Sequence, residues 1–334
     1  MLYLILPGGG TIFFRDFKIF LKKFGVEFFR RWDGMKTIPK IIPGVIITAL
    51  IGAVAFMGSR CNSNQQEDNM QTVTSKDGTK IAYDKLGRGP AVILVVGALA
   101  SRSDHAKLTE LLSPDFTVYN YDRRGRGDSG DTKPHAVKRE IEDISALIDE
   151  AGGSAYIYGI SSGACLALEA TATLGERVKK LAIYEAPYDE AEGIAEAWKE
   201  YSSKLNQLLA EDRRGDAVEL HMKTVGAPDI AIVGMKASPG WSRLKALAPT
   251  IAYDVAVVGE NRSIPAERVT TIKAITLVMD GGASLESMPF MRATADKLAK
   301  IIPNAQRQTI EGQGHDIDNK VLAAVLKEFF SKEN

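Results

Sequence analysis

From residue 72 onward, short apolar runs alternate with stretches of helical periodicity, and few folds accommodate that alternation. The candidate strands are 80–84, 91–97 (AVILVVG), 116–122 (FTVYNYD), 155–160 (AYIYGI), 180–185 (KLAIYE), 274–280 (AITLVMD) and 305–311. Most are apolar nearly throughout, as parallel strands covered on both faces must be. Helical patterns such as 136–151 and 162–174 fall between them, and a closing helix is expected near 318–330. Right-handed crossovers then build an α/β, doubly wound, mostly parallel sheet. One interval breaks the rhythm. Residues 188–265 hold no strong strand, but Ile194, Trp198, Tyr201, Leu205 and Leu208 recur at helical spacing, which predicts a helical cap insertion. Such an insertion lies over the C-terminal edge of the strands, where open α/β sheets bind ligands. Trp198, Trp241 and Met222 in the cap are read as core residues rather than as a binding surface.

The composition excludes some partners. Lys plus Arg and Asp plus Glu both total 42, so the formal net charge is zero and no extended basic surface for nucleic acid is implied. The cysteines, Cys61 and Cys165, form no disulfide framework or CxxC metal site. Both are expected to be free, unless Cys61 is modified.

The N-terminus reads differently from the rest. Residues 41–58, IIPGVIITALIGAVAFMG, form an uncharged apolar run that reaches most of the way across a bilayer and predicts a signal peptide or membrane anchor. Residues 1–40 are a basic leader ending in Arg30, Arg31, Lys36 and Lys40, and 59–71 are a polar linker. By the positive-inside bias the domain at 72–334 lies outside the cytoplasm, membrane-anchored or secreted. Cys61 stands where a bacterial lipoprotein carries its lipidated cysteine, although Arg60 occupies a position that prefers a small residue. Residues 1–34 form neither a second span nor a recognisable domain, which fits a translation start at Met35.

Gly159-Ile160-Ser161-Ser162-Gly163 matches G-x-S-x-G between an apolar strand and a helical pattern. A serine on that turn projects its hydroxyl above the sheet edge, and the helix behind it favours negative charge nearby. Ser161, midway between the glycines, is the candidate nucleophile. A serine hydroxyl needs a base to take its proton. His105 and His135 precede Ser161, and His221 lies in the cap. His315, in Glu311-Gly312-Gln313-Gly314-His315, follows the last strand and suits a loop carrying imidazole over the sheet edge.

In that order the segments VVGALASR, YDRRGRGDSGD, GISSGA, LAIYEAPY, LVMDGGAS and EGQGHD resemble the α/β-hydrolase superfamily, in its serine hydrolase branch, across residues 72–334. The resemblance assigns Arg123 to Ser129 to a structural turn, and implies an oxyanion hole from the backbone N–H groups of Ala98 and Ser162. Val96 stands where many members have histidine. Many members also place an aspartate three residues past the glycine after the seventh strand, and counting from Gly281 lands on Ser284. Two carboxylates can replace it. Glu185, at the end of the sixth strand, aligns with a glutamate-bearing branch related to haloalkane dehalogenases and is favoured; Asp280, at the end of the seventh, is the alternative.

No HExxH, cysteine–histidine cluster or phosphate loop calls for a metal or organic cofactor. Dehalogenation is disfavoured, because it uses aspartate at the elbow. The expectation is a serine esterase with a catalytic triad acting on a small acyl substrate through an acyl-enzyme. A membrane-tethered binding or sensing protein on the same fold, and cofactor-free perhydrolase or haloperoxidase chemistry, stay open as alternatives.

Overall fold

The computed structural model describes residues 70–332 and two strands nearer the N-terminus. The chain divides into units Met1–Gln65 and Gln66–Asn334. In the first, Leu2–Ile5 pairs antiparallel with Thr11–Phe14. The apolar run expected at 41–58 and Cys61 lie outside the described residues. Among those described, no helix is long and apolar enough to cross a membrane.

The second unit is built on an eight-stranded sheet. Its strands are β1 (Met70–Thr74), β2 (Lys80–Leu86), β3 (Ala91–Val95), β4 (Thr117–Tyr121), β5 (Ala155–Ile160), β6 (Val178–Tyr184), β7 (Ile275–Gly281) and β8 (Ala305–Ile310). They run in the order β8-β7-β6-β5-β3-β4-β2-β1. Strands β3 to β8 are mutually parallel, and β2 pairs antiparallel with both β1 and β4. The β-branched run of β3 is buried almost throughout, since helices cover both of its faces. Beyond the strands expected from sequence, β1 exposes all of MQTVT except Val73, as an edge strand can.

Helices α1 (Ala106–Leu112) and α11 (Asn319–Ser331) contribute Leu108, Leu112, Leu322 and Leu326 to the core on one face. On the other face lie α2 (Val137–Glu150), α3 (Ser162–Leu174) and α10 (Phe290–Ile301). The sequence SGACLALEATATL makes α3 apolar all round, so it is buried as a core helix between β5, β6 and α2. Its Leu166 and Leu168 are fully enclosed, and truncating either to Ala costs about 2–5 kcal/mol.

Between β6 and β7 the chain leaves the sheet for α4 (Ile194–Ala210), α5 (Arg214–Thr224), α6 (Asp229–Ala237), α7 (Trp241–Leu247), α8 (Ile251–Val258) and α9 (Ala266–Val269). Trp198, Tyr201, Leu205 and Leu208 form the buried face of α4, one helical turn apart. They join the core on the α3 side, and α8 rests directly on α3. The cap is therefore continuous with the domain core. Strand order reverses between β3 and its two neighbours β4 and β5, which opens a crevice at the C-terminal ends of β3 and β5.

Candidate active site

Ser161 stands in that crevice, between the last residue of β5 and the first of α3, at φ 57 and ψ −132. Non-glycine residues rarely adopt positive φ, so neighbouring packing must hold it there. The two glycines of the pattern have distinct steric duties. A Cβ on Gly159 would collide with the Gly163 carbonyl, and a Cβ on Gly163 with the Val95 and Val96 carbonyls. Only glycine at both positions lets α3 turn back this tightly across β3 and β5. The Ser161 N–H donates to the Tyr184 carbonyl at 3.0 Å, tying the elbow to β6.

His315 lies in the loop after β8. The Tyr184 hydroxyl donates to the Gly314 carbonyl at 2.6 Å, and the Ala283 N–H donates to the Gln313 carbonyl at 2.9 Å. Gly281, which ends β7, passes so close to Gln313 that a Cβ would strike its carbonyl. The loop is thus fixed against β6 and β7, and the imidazole Nδ1 lies 2.7 Å from Glu185 Oε2. Glu185 is itself 1% exposed, and its Oε1 accepts the Gly281 N–H at 2.9 Å. It follows β6 directly at φ 49, a left-handed turn that carries its side chain off the strand direction toward β7 and His315.

Asp280 does not meet His315 through any hydrogen bond. It is a strand residue opposite Thr309, and its carboxylate accepts from Thr309 Oγ1 at 2.7 Å, Arg307 Nη1 at 2.8 Å and Arg292 Nε at 3.0 Å. Burial raises the Asp280 carboxyl, but these donors outweigh it and hold it below the usual carboxylate range. The alternative acid of the sequence reading is therefore committed to a structural ion cluster on β8 and α10. Ser284, at the position where the superfamily often has aspartate, is buried, and its Oγ has no partner among the described residues.

Ser161, His315, Ala98 and Ser162 all border one cavity of about 790 Å³ beneath the cap. No hydrogen bond joins Ser161 Oγ to His315 here, and in ligand-free sites such pairs commonly tighten only around substrate. Gly97 brings the loop after β3 against the elbow, where a Cβ would come within 2.9 Å of Ser161 Cβ. The Ala98 N–H donates to no backbone carbonyl, and the Ser162 N–H opens α3 with no acceptor in its own helix. Two backbone donors therefore stand beside the serine.

The scan against known families matches residues 92–324 to the Alpha/beta hydrolase family. The chain belongs to that family. The hydrolase superposes on the crystal structure of an alpha/beta hydrolase from Sphaerobacter thermophilus DSM 20745 with 48% identity and a TM-score of 0.72, covering 78% of this chain and 100% of that one. It is 30% identical over 96 residues to the uncharacterized hydrolase YraK of Bacillus subtilis (strain 168), covering 28% of this chain and 35% of YraK. It is 27% identical over 130 residues to a zearalenone hydrolase of Cladophialophora bantiana, covering 37% and 49% of the two chains. These two alignments span half or less of the relatives' lengths.

The rest of the hydrolase's cavity is mostly apolar. Trp198 and Met222 line it, contrary to their reading as core residues alone, and Trp241 does not. Arg262 lies over the rings of Trp198 and Phe290, at 5.2 and 4.7 Å from their centroids, and its Nε donates to the Pro187 carbonyl near the start of the insertion. His105 and His221 border the same space, and burial pushes each imidazole down to about 4, so both are neutral near neutral pH. His221 Nδ1 lies 2.7 Å from the Tyr201 hydroxyl. Cys165, buried in α3, is a free thiol that burial pushes up to about 12, which removes it as a nucleophile.

Proposed function

We propose that this hydrolase cleaves carboxylic esters through an acyl-enzyme formed on Ser161. The observation that carries the reading is the 2.7 Å contact between His315 Nδ1 and the buried Glu185 carboxylate, at the rim of the cavity that Ser161 enters. With Nδ1 holding its proton toward Glu185, Nε2 is free to act as the base. Ser161 Oγ attacks the ester carbonyl carbon and its proton passes to His315 Nε2. The Ala98 and Ser162 N–H groups receive the negative charge that develops on the carbonyl oxygen. Collapse breaks the bond to the alkoxy oxygen, which leaves as the alcohol with the proton from His315. Water then attacks the acyl-enzyme by the same route, releasing the carboxylic acid and restoring Ser161. Glu185 holds the tautomer and balances the imidazolium.

A mostly apolar lining favours ester substrates whose acyl and alcohol parts together fill much of about 790 Å³. The test compares the full chain with Ser161→Ala on a series of p-nitrophenyl esters and by labelling with a fluorophosphonate. Hydrolysis and labelling present in the wild type and lost together in Ser161→Ala are the expected result. A folded wild type that neither hydrolyses nor labels overturns the proposal.

A further inference from the structure

The loop that offers the Ala98 N–H is strained at its next residue, since Leu99 has φ 54. Such a conformation costs on the order of 1–3 kcal/mol and persists only where the surroundings fix it. Here the fixing groups are two fully buried guanidinium groups from the turn after β4. Arg126 Nη1 donates to the Gly97 carbonyl and, at 3.2 Å, to the Ala100 carbonyl; Arg123 Nη1 reaches the Val96 carbonyl at 3.3 Å. The Gly97–Ala98 peptide is trans, so its C=O and N–H point in opposite directions. Arg126 does not border the cavity, whereas Gly97 and Ala98 do. Drawing the Gly97 carbonyl toward Arg126 therefore turns the Ala98 N–H toward the cavity.

Asp254, in cap helix α8, holds this arrangement together. Its Oδ1 accepts from Arg123 Nη1 at 2.6 Å, Arg126 Nη2 at 2.8 Å and Ser162 Oγ at 2.8 Å, and its Oδ2 accepts from Arg126 Nη2 at 2.9 Å. Glu140 of α2 binds the remaining edge of Arg123 at 2.7 and 3.0 Å, so two cations face two carboxylates in a buried cluster. The same aspartate thus touches the residue that carries one oxyanion donor and the arginine that orients the other.

We infer that Asp254 and Arg126 are positioning residues for the oxyanion hole, so that the cap, through α8, sets the transition-state machinery as well as covering it. Burial and charge balance make the cluster costly to break by half, because a lone buried ion is left behind. It therefore has one stable arrangement, and the two donor N–H groups inherit that rigidity.

This inference rests on the serine-hydrolase reading and is separable from it. The full chain is compared with Asp254→Asn, Arg126→Lys and Ser162→Ala for kcat and KM on p-nitrophenyl butyrate. Inhibition by a trifluoromethyl ketone, which becomes a tetrahedral oxyanion on the serine, is measured alongside inhibition by a methyl ester analogue carrying a non-hydrolysable amide. Removal of one oxyanion donor costs about 10²–10³ in rate. Asp254→Asn and Arg126→Lys are expected to lower kcat on the order of 10²-fold with KM within about threefold, and to weaken the ketone in proportion while the amide binds as before. Lysine keeps the charge but cannot span both carbonyls and both Asp254 oxygens. Ser162→Ala, which removes one hydroxyl and leaves all charges, is expected to give a smaller loss in the same pattern. It carries the test if the charge variants do not fold. Folded variants with unchanged kcat and ketone affinity, or with kcat lost while ketone and amide weaken equally, overturn the inference. A wild type without hydrolysis or labelling overturns the function proposal instead.

Discussion

Glu185→Gln removes one charge and almost no volume, and the surrounding hydrogen bonds dictate how the new amide must lie. The Gly281 N–H donates to Oε1 at 2.9 Å, so the amide oxygen has to keep that place. The amide NH₂ then faces His315 Nδ1, where the carboxylate Oε2 now lies at 2.7 Å. A donor in that position makes Nδ1 an acceptor and moves the imidazole proton to Nε2, the atom that has to accept the proton of Ser161. The base is blocked and the imidazolium loses its counter-charge. In the serine-protease template the equivalent change lowers kcat about 10⁴-fold, so a loss of about 10³–10⁴, or roughly 4–5.5 kcal/mol of barrier, is expected here. KM should change little, and fluorophosphonate labelling should slow with kcat. The control is Asp280→Asn. Its partners are Thr309, Arg307 and Arg292, so it should cost about 1–2 kcal/mol of stability in urea titrations and leave kcat within a few fold. Near-wild-type kcat in Glu185→Gln, or a loss of 10³ in Asp280→Asn, would refute the assignment of Glu185.

Gly163→Ala would drive a Cβ into the Val95 and Val96 carbonyls; a loss of about 3 kcal/mol or more with little remaining hydrolysis is expected, and a Tm equal to wild type counts against the elbow geometry. His105 and His221 stay neutral in the folded state down to about 4, while the unfolded chain takes up protons from 6.5 downward. The folded pKa is depressed, so this stability is complete above pH 6.5 and is lost as pH falls toward 4. Each residue should account for about 2 kcal/mol of loss at pH 5. Urea unfolding at pH 7.5 and pH 5 measures it, and a drop of the same size in His221→Gln would show that His221 is not its source. Met222→Ala enlarges the apolar cavity and should move the preferred p-nitrophenyl ester to longer acyl chains, read as a shift in relative kcat/KM; an unchanged chain-length profile removes Met222 from the substrate surface.

The legible parts of this chain are those whose environment leaves a one-dimensional mark. Parallel strands such as AVILV and AYIYGI are enclosed on both faces, so their apolar runs stand out, and the glycines around Ser161 are required by backbone clearances that follow directly from a strand-to-helix turn. Strand β1 left no such mark because only Val73 is buried. The residues bordering the cavity were also obscure. Trp198 has both roles, 8% exposed within the core and lining the cavity, and helical spacing records only the first. Nothing in the sequence joins Arg126 to Asp254, 128 residues apart, and a single cap aspartate has no local signature. The apolar run at 41–58 and Cys61 lie outside the described residues.

The choice between two carboxylates shows most clearly where sequence stops. Glu185 and Asp280 each follow or end a strand near the same sheet edge, and by residue type either can serve an imidazole. Backbone conformation separates them. Asp280 is still in register with Thr309, so its side chain points where a strand residue's must, toward the cations of its neighbours. Glu185 has just left its strand, and its left-handed φ redirects the carboxylate across the end of β7. Leu99 and Ser161, which border the cavity, share that uncommon conformation with Glu185, which meets the cavity through His315. Each is held by bonds from other elements: the Leu99 loop by Arg123 and Arg126, Ser161 by the Tyr184 carbonyl, and Glu185 by the Met279 carbonyl and the Gly281 N–H. Strain placed this way is stable only when its clamps are present, which ties the geometry of the Gly97–Leu99 loop, Ser161 and Glu185 to the folding of the sheet edge and of the cap helix that carries Asp254.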